Sequence, residues 1–188
     1  QIQKKGASYT NRVSVLGNGK TQFLTIPIMR GEGVTNINET TFFNSNWNIK
    51  IIKTIQANYG KTQYFKENFE FIENLFMYEA NNLSEFNINL ITEICKKLDM
   101  RTTLKTSSDF SINETSTDRL ISLIKSVEGN VYISGKGGDN YQDHTKFEAA
   151  NIDLIYNELP VFEYPQFRTE EFVNGLSILD AIFNINFE

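Results

Sequence analysis

The residues best equipped for chemistry crowd into one short stretch, Tyr132–Asp143, which reads YISGKGGDNYQD. Gly135, Gly137 and Gly138 leave backbone N–H groups uncovered, and successive uncovered N–H groups can receive the oxygens of an anion. Ser134 adds a hydroxyl, Tyr141 a phenol, and Asp139 and Asp143 add carboxylates, so a phosphate, a sugar or a hard cation could be held here. Two named phosphate loops fail. A dinucleotide fingerprint would need glycine where Asn140 stands and a helix at once; a P-loop would need Lys followed by Ser or Thr after the second glycine. The competing reading is a plain flexible turn.

Other candidates are weaker. GNGKT at 17–21 ends like a P-loop, but the spacing would require glycine at Ser14 and a following helix, whereas a strand pattern follows. His144 is the only histidine and has Asp139 and Asp143 nearby; it could serve as a base, although a lone loop histidine more often faces solvent. Cys95 falls on the apolar side of its helical pattern and reads as a buried, inert thiol. One Cys and one His cannot build a zinc cluster. Arg12, Lys50 and Lys53 could pair with phosphates or lie solvated on the surface.

These residues must be positioned by recognisable elements. NRVSVLGNGKTQFLTIPI predicts a β-hairpin, because Asn and Gly tolerate the positive φ of a tight turn, and Pro27 marks an edge or strand end. Residues 30–46 read as a loop. Three helices follow: one spacing Trp47, Ile51, Ile55 and Tyr59 and closing at Gly60, one with Phe65, Phe69, Ile72 and Phe76, and one opened by Asn82 and Glu85 in capping-box spacing. The third is expected to bury Leu83, Phe86, Leu90, Ile94 and Leu98. Beyond Met100, strand and helix alternate: strand TTLKT at 102–106, helix STDRLISLIKSVEG, strand NVYIS, a short helix at 146–150, strand IDLIY, and a closing helix NGLSILDAIFN.

The expected class is therefore α/β: a mostly parallel sheet of βαβ units, with a β-hairpin near the N-terminus and a helical middle section. In that arrangement SSD at 107–109 and SGKGGDNY at 134–141 both lie beyond the carboxyl ends of parallel strands, where open α/β sheets bind ligands.

Composition narrows the field. The chain has 188 residues, 40% of them hydrophobic and 13% aromatic, enough for one domain with a real core. Its 18 basic and 23 acidic residues are interspersed for a net charge of −5, which argues against nucleic acid as a partner. The Lys4–Lys5 cluster is too small to reverse that. No apolar run is long enough to span a membrane and no signal-peptide pattern opens the chain. A single cysteine permits no internal disulfide, consistent with a reducing, cytoplasmic setting.

The ordered series of motifs resembles the WbqC-like family of bacterial proteins over nearly the whole chain. It runs from QIQKKG through Asn11, Arg12 and Pro27, then Trp47, Tyr59, Tyr64 and Phe65, then NLSEFNINLITEICKKLDM with TTLKTSSD, Arg119, YISGKGGDNYQD, Phe147, EYPQF and NGLSILDAIFN. Two departures stand out. The family's tryptophan-led helix commonly carries a histidine where Ile51 stands here, and the family opens with a strand and a Gln-Pro motif that would precede Gln1.

The resemblance implies a single WbqC-like domain over 1–188, truncated at its N-terminus, acting in O-antigen or related surface-polysaccharide biosynthesis. The implied reaction moves a glycine or other acyl group onto an amino sugar, with a sugar nucleotide and an acyl or aminoacyl donor (free or carrier-bound) as partners and no cofactor or metal. Gly135, Gly137, Gly138 and Tyr141 would line the pocket, with hydroxyl contacts from Ser107, Ser108 and Ser134. Asn11 and Arg12 would also contact substrate, Arg12 pairing a phosphate or carboxylate, and Asp139 or Asp143 would act as a base or orient the amine. Two alternatives remain open: a non-catalytic ligand-binding or scaffold subunit of a polysaccharide assembly complex, and a nucleotidyl- or phosphate-transfer enzyme.

Overall fold

The computed structural model describes residues 9–29, 36–158 and 160–187, with Lys136 and Asp139 described by backbone alone. The Lys4–Lys5 cluster and the first part of the 30–46 loop lie outside the described residues. The chain forms two compact units, one of residues 1–101 with 162–188 and one of residues 102–161.

The first unit is built on a hairpin. Strand β1 (Arg12–Gly17) pairs antiparallel with β2 (Lys20–Thr25) in a register running from Arg12↔Thr25 to Gly17↔Lys20. Asn18 and Gly19 make the turn at φ 51° and 73°, the left-handed conformation that the Asn-Gly pair is suited to adopt. Residues facing inward along the hairpin, Val15 and Leu24, join a core supplied by helices α1 (Trp47–Tyr59), α2 (Phe65–Met77), α3 (Leu83–Lys97) and α6 (Ile178–Ile185). The four-residue spacing of α1 works as expected: Trp47, Ile51, Ile55 and Tyr59 are all buried. Aromatic packing ties the helices together, with Trp47 edge-on to Phe86 at 5.0 Å and Tyr59 stacked on Phe183 at 5.2 Å.

Helix α3 begins as predicted, the Asn82 side chain accepting the Glu85 N–H at 2.9 Å, although the Glu85 carboxylate returns to Asn81 rather than Asn82. Its apolar stripe is only partly used. Leu83 and Phe86 are buried, Leu90 and Ile94 are half-covered, and Leu98 is exposed. Cys95 is half-buried, not sequestered in the core.

The second unit contains α4 (Ser116–Ser126) and a βαβ segment: β3 (Val131–Gly135), α5 (His144–Ala149) and β4 (Asp153–Asn157). The two strands pair in parallel from Val131↔Asp153 to Gly135↔Asn157. Ile124, Phe147 and Ile152 form the buried centre.

The fold is α/β with the N-terminal hairpin, but among the described residues the expected mostly parallel sheet is corrected to two parallel strands. TTLKT is not a strand: residues 101–106 are irregular and nearly all exposed. Threonine favours strands, but Leu104 alone gives the segment no apolar face to bury, and propensity without burial does not hold a strand in a sheet.

Candidate functional site

The glycine-rich stretch starts on β3 itself. Ser134 and Gly135 are the last two residues of the strand, and a 3-10 turn, Lys136–Asn140, follows directly. The turn therefore stands just outside the carboxyl end of a parallel strand, whose partner β4 ends opposite Gly135 at Asn157.

The three glycines are not equivalent. A Cβ on Gly138 would collide with Ser134 Oγ and come within 2.8 Å of the Gln142 amide, so a side chain here would have to displace the bond between those two residues. A Cβ on Gly135 or Gly137 would meet nothing within 4 Å. Gly138 packs the turn onto the strand, whereas Gly135 and Gly137 border open space.

Behind the turn lies a chain of polar side chains. Gln142, buried, donates from Nε2 to the buried Ser134 Oγ at 3.0 Å, and Ser134 Oγ donates to the Gly135 carbonyl at 3.2 Å. Tyr156 on β4 donates its hydroxyl to Gln142 Oε1 at 3.3 Å and lies 3.0 Å from His144 Nε2. These bonds fix the turn against both strands, because each polar group buried there finds a partner.

Asp143 caps α5. Its Oδ1 accepts from Thr145 N at 3.1 Å, Thr145 Oγ1 at 2.7 Å and Lys146 N at 3.4 Å. Hydrogen bonding by Thr145, with help from Lys146, holds its carboxyl below the usual range. Tyr141 is 70% exposed. Ser107 and Ser108 sit in a separate, exposed 3-10 turn, Ser107–Asp109, that follows irregular chain instead of a strand end. The expectation of two loops at the ends of neighbouring strands is thus corrected to one loop. A hollow of about 480 Å³ in this unit is lined by His144, Phe147, Glu148 and the start of β4, with none of the glycine positions among its walls.

Asn11 and Arg12 belong to the other unit. Asn11 is buried and bonds the hairpin, donating from Nδ2 to the Ile26 carbonyl at 3.0 Å while its own carbonyl accepts from Ile26 N at 2.8 Å. The Arg12 guanidinium lies 4.7 Å from the centre of the Phe23 ring. Both residues line a cavity of about 310 Å³ within that unit.

A cluster that sequence reasoning missed is centred on Asp180 of α6, which is completely buried. Its Oδ2 accepts from the Tyr164 hydroxyl at 3.0 Å and from Gln166 Nε2 at 3.1 Å. Oδ1 has no hydrogen-bond partner of good geometry, although the Tyr59 hydroxyl is close enough to interact with the carboxyl. The Tyr59 oxygen in turn accepts from Leu16 N at 3.1 Å. Burial outweighs the donors and raises the Asp180 pKa. Burial and the nearby carboxylate push the Tyr164 phenol up to about 12 and raise Tyr59 as well. Asp180 interrupts the apolar stripe Leu179, Ile182 and Phe183, and a carboxylate on such a face was the available signal.

Among the described residues no group of three His, Cys, Asp or Glu side chains is placed to hold a metal ion, and no helix is long and apolar enough to cross a membrane. Together these features define an α/β protein with a glycine-rich turn at the end of a parallel strand. The chain belongs to the WbqC-like protein family, whose model matches residues 1–188. It is 26% identical over 194 residues to the uncharacterized protein Rv1507c of Mycobacterium tuberculosis, a match that takes in 100% of this chain and 82% of that protein. No solved structure matches.

Proposed function

We propose that the protein is a transferase that moves a glycine or other acyl group onto an amino sugar, the acceptor being nucleotide-linked, in the assembly of a surface polysaccharide. The observation that carries this reading is the turn at the carboxyl end of β3, which leaves open space at Gly135 and Gly137 while Gly138 is packed against Ser134 and Gln142. Family membership supports it through the implied role in O-antigen synthesis. In the reaction the acceptor amine forms a C–N bond to the acyl carbon, the donor's leaving group departs with its electron pair, and the amine proton passes to a base. Asp139 takes that proton; Asp143, held by Thr145 and Lys146, orients the amine. Tyr141 completes the contacts to the sugar nucleotide from the same turn.

The second reading is a ligand-binding subunit without catalysis. It is favoured by one observation: the Asp143 carboxylate is already committed to capping α5. Incubation of the protein with UDP-glucosamine and glycyl or acetyl thioesters, followed by mass spectrometry, separates the two. Acylated sugar nucleotide supports the transferase, and saturable UDP-glucosamine binding without product supports the binding subunit. A Gly137→Leu variant that keeps its melting temperature should lose either property; retention of both would remove the turn from the site.

A further inference from the structure

The pair Asn-Gly occurs twice in the chain, at Asn18–Gly19 and at Asn174–Gly175, and the fold holds the two pairs differently. The main-chain nitrogen after an asparagine can attack the side-chain amide carbon and close a five-membered ring. Glycine, lacking a Cβ, puts nothing in the way. Whether the ring closes depends on where the fold keeps the reacting atoms.

At Asn18–Gly19 those atoms are engaged elsewhere. The pair forms the hairpin turn between Gly17 and Lys20, which are register partners, so the ladder beside it sets its backbone. The Asn18 side-chain oxygen accepts from Arg168 Nη1 at 3.1 Å. The space beside Gly19 is closed too, since a Cβ there would stand 2.5 Å from the Arg168 carbonyl oxygen. Ring closure would have to break the Arg168 contact and distort the turn.

At Asn174–Gly175 the same atoms face each other. Both residues are exposed, in irregular chain ahead of the Ser177 cap of α6. The Gly175 N–H donates to the Asn174 side-chain oxygen at 2.7 Å. A C=O bond is about 1.2 Å long, so the amide carbon lies within about 4 Å of that nitrogen. Direction matters as much as distance. An N–H aimed at a carbonyl leaves, once hydroxide takes its proton, an electron pair aimed at the same group. A Cβ on Gly175 would meet nothing within 4 Å, so the position is open to water and base.

We propose that Asn174 is a site of spontaneous modification, converted through attack by the Gly175 nitrogen to aspartate and isoaspartate, while Asn18 is spared. The bond from Gly175 N to Asn174 Cγ forms as the Cγ–Nδ2 bond breaks, and Nδ2 leaves as ammonia, taking a proton from water. Water then opens the succinimide. Opening at the side-chain carbonyl gives aspartate; opening at the main-chain carbonyl gives isoaspartate, whose main chain is one carbon longer. Either product adds a carboxylate next to Val173, whose N–H and carbonyl are held by the Gln166 side chain at 2.7 and 3.0 Å. The inference goes beyond the transfer reading and does not depend on it, because it concerns the hairpin unit alone and is read without any ligand.

The test holds the full chain at pH 7.4 and 37 °C, folded in buffer and unfolded in guanidinium chloride, with digestion and mass spectrometry at intervals. Folding should slow conversion of Asn18 by at least about tenfold and leave that of Asn174 undiminished. Asn174 should yield two isomeric products. Asn174→Gln, whose longer side chain would have to close a six-membered ring, should remove them from the folded chain. Equal slowing of the two asparagines on folding overturns the proposal, as does an Asn174 that converts only in denaturant. Aspartate as the single product would indicate direct hydrolysis, and a product that persists in Asn174→Gln would place the chemistry at another residue; each equally overturns it.

Discussion

The two units handle carboxylates in opposite ways. The hairpin unit surrounds an aspartate with a large aromatic and aliphatic core, so that Asp180 is held deep among Tyr59, Tyr164 and Gln166. The βαβ unit has a small core around Ile124, Phe147 and Ile152, buries only uncharged groups such as Ser134 and Gln142 among its described polar side chains, and keeps the Asp143 carboxylate on an exposed helix cap. A large core can carry a buried carboxylate as an internal tie between elements. A small one can do little more than hold two strands and present what lies at their ends. The difference teaches where to look for a ligand: at the turn of the small unit.

The largest expected effects come from removing an aromatic ring from each core. Phe183→Ala and Phe147→Ala, both at nearly inaccessible positions, should each cost about 3–5 kcal/mol in urea unfolding. The readouts should differ, because the chain has a single tryptophan, Trp47, within the larger core. Phe183→Ala should move the Trp47 fluorescence midpoint. Phe147→Ala should instead abolish amide protection on β3 and β4 with that midpoint little changed. Equal movement of the midpoint in both would show one cooperative unit and dissolve the comparison.

A smaller effect separates two neighbouring glycines. Gly138→Ala forces a Cβ into Ser134 and Gln142 and should destabilise by about 1–3 kcal/mol. Gly137→Ala enters open space and should stay within about 0.5 kcal/mol of the parent. Chemical denaturation of the two variants checks this, and equal costs would mean that the turn is packed along its whole length.

The smallest effect is on pH dependence, and its sign differs between the units. Asp180 has a raised folded-state pKa, so its contribution is fully present below the unfolded-state value and is lost as pH rises through the folded one. Asp180→Asn, which can still accept from Tyr164 and Gln166, should therefore gain relative to the parent between acid and neutral pH. Asp143 has a lowered folded-state pKa, so its contribution is present above the unfolded-state value and is lost as pH falls through the folded one. Asp143→Ala should lose its disadvantage in acid. Melting temperatures across pH 3–7 follow both, and parallel profiles would contradict the assigned environments.

What could be read in advance follows the range of the forces involved. The hairpin was legible because Asn18 and Gly19 are a local conformational requirement, and the helix carrying Trp47 to Tyr59 because its apolar spacing is periodic. TTLKT misled because threonine content speaks to local preference while a strand needs a face to bury. The glycine turn was found from Gly135, Gly137 and Gly138, yet the special status of Gly138 depends on Gln142 folding back onto Ser134. The Asp180 cluster joins α1, α6 and the 164–166 segment, and no local pattern announces a meeting of residues so far apart in the chain.

The central claim is that the turn after β3 is one wall of a ligand site. Amide resonances of the labelled protein, followed by NMR during titration with UDP-glucosamine, test it most directly. The account predicts saturable shifts concentrated at Ser134–Tyr141. Saturable shifts that spare those residues, or no shifts at any concentration, would contradict it.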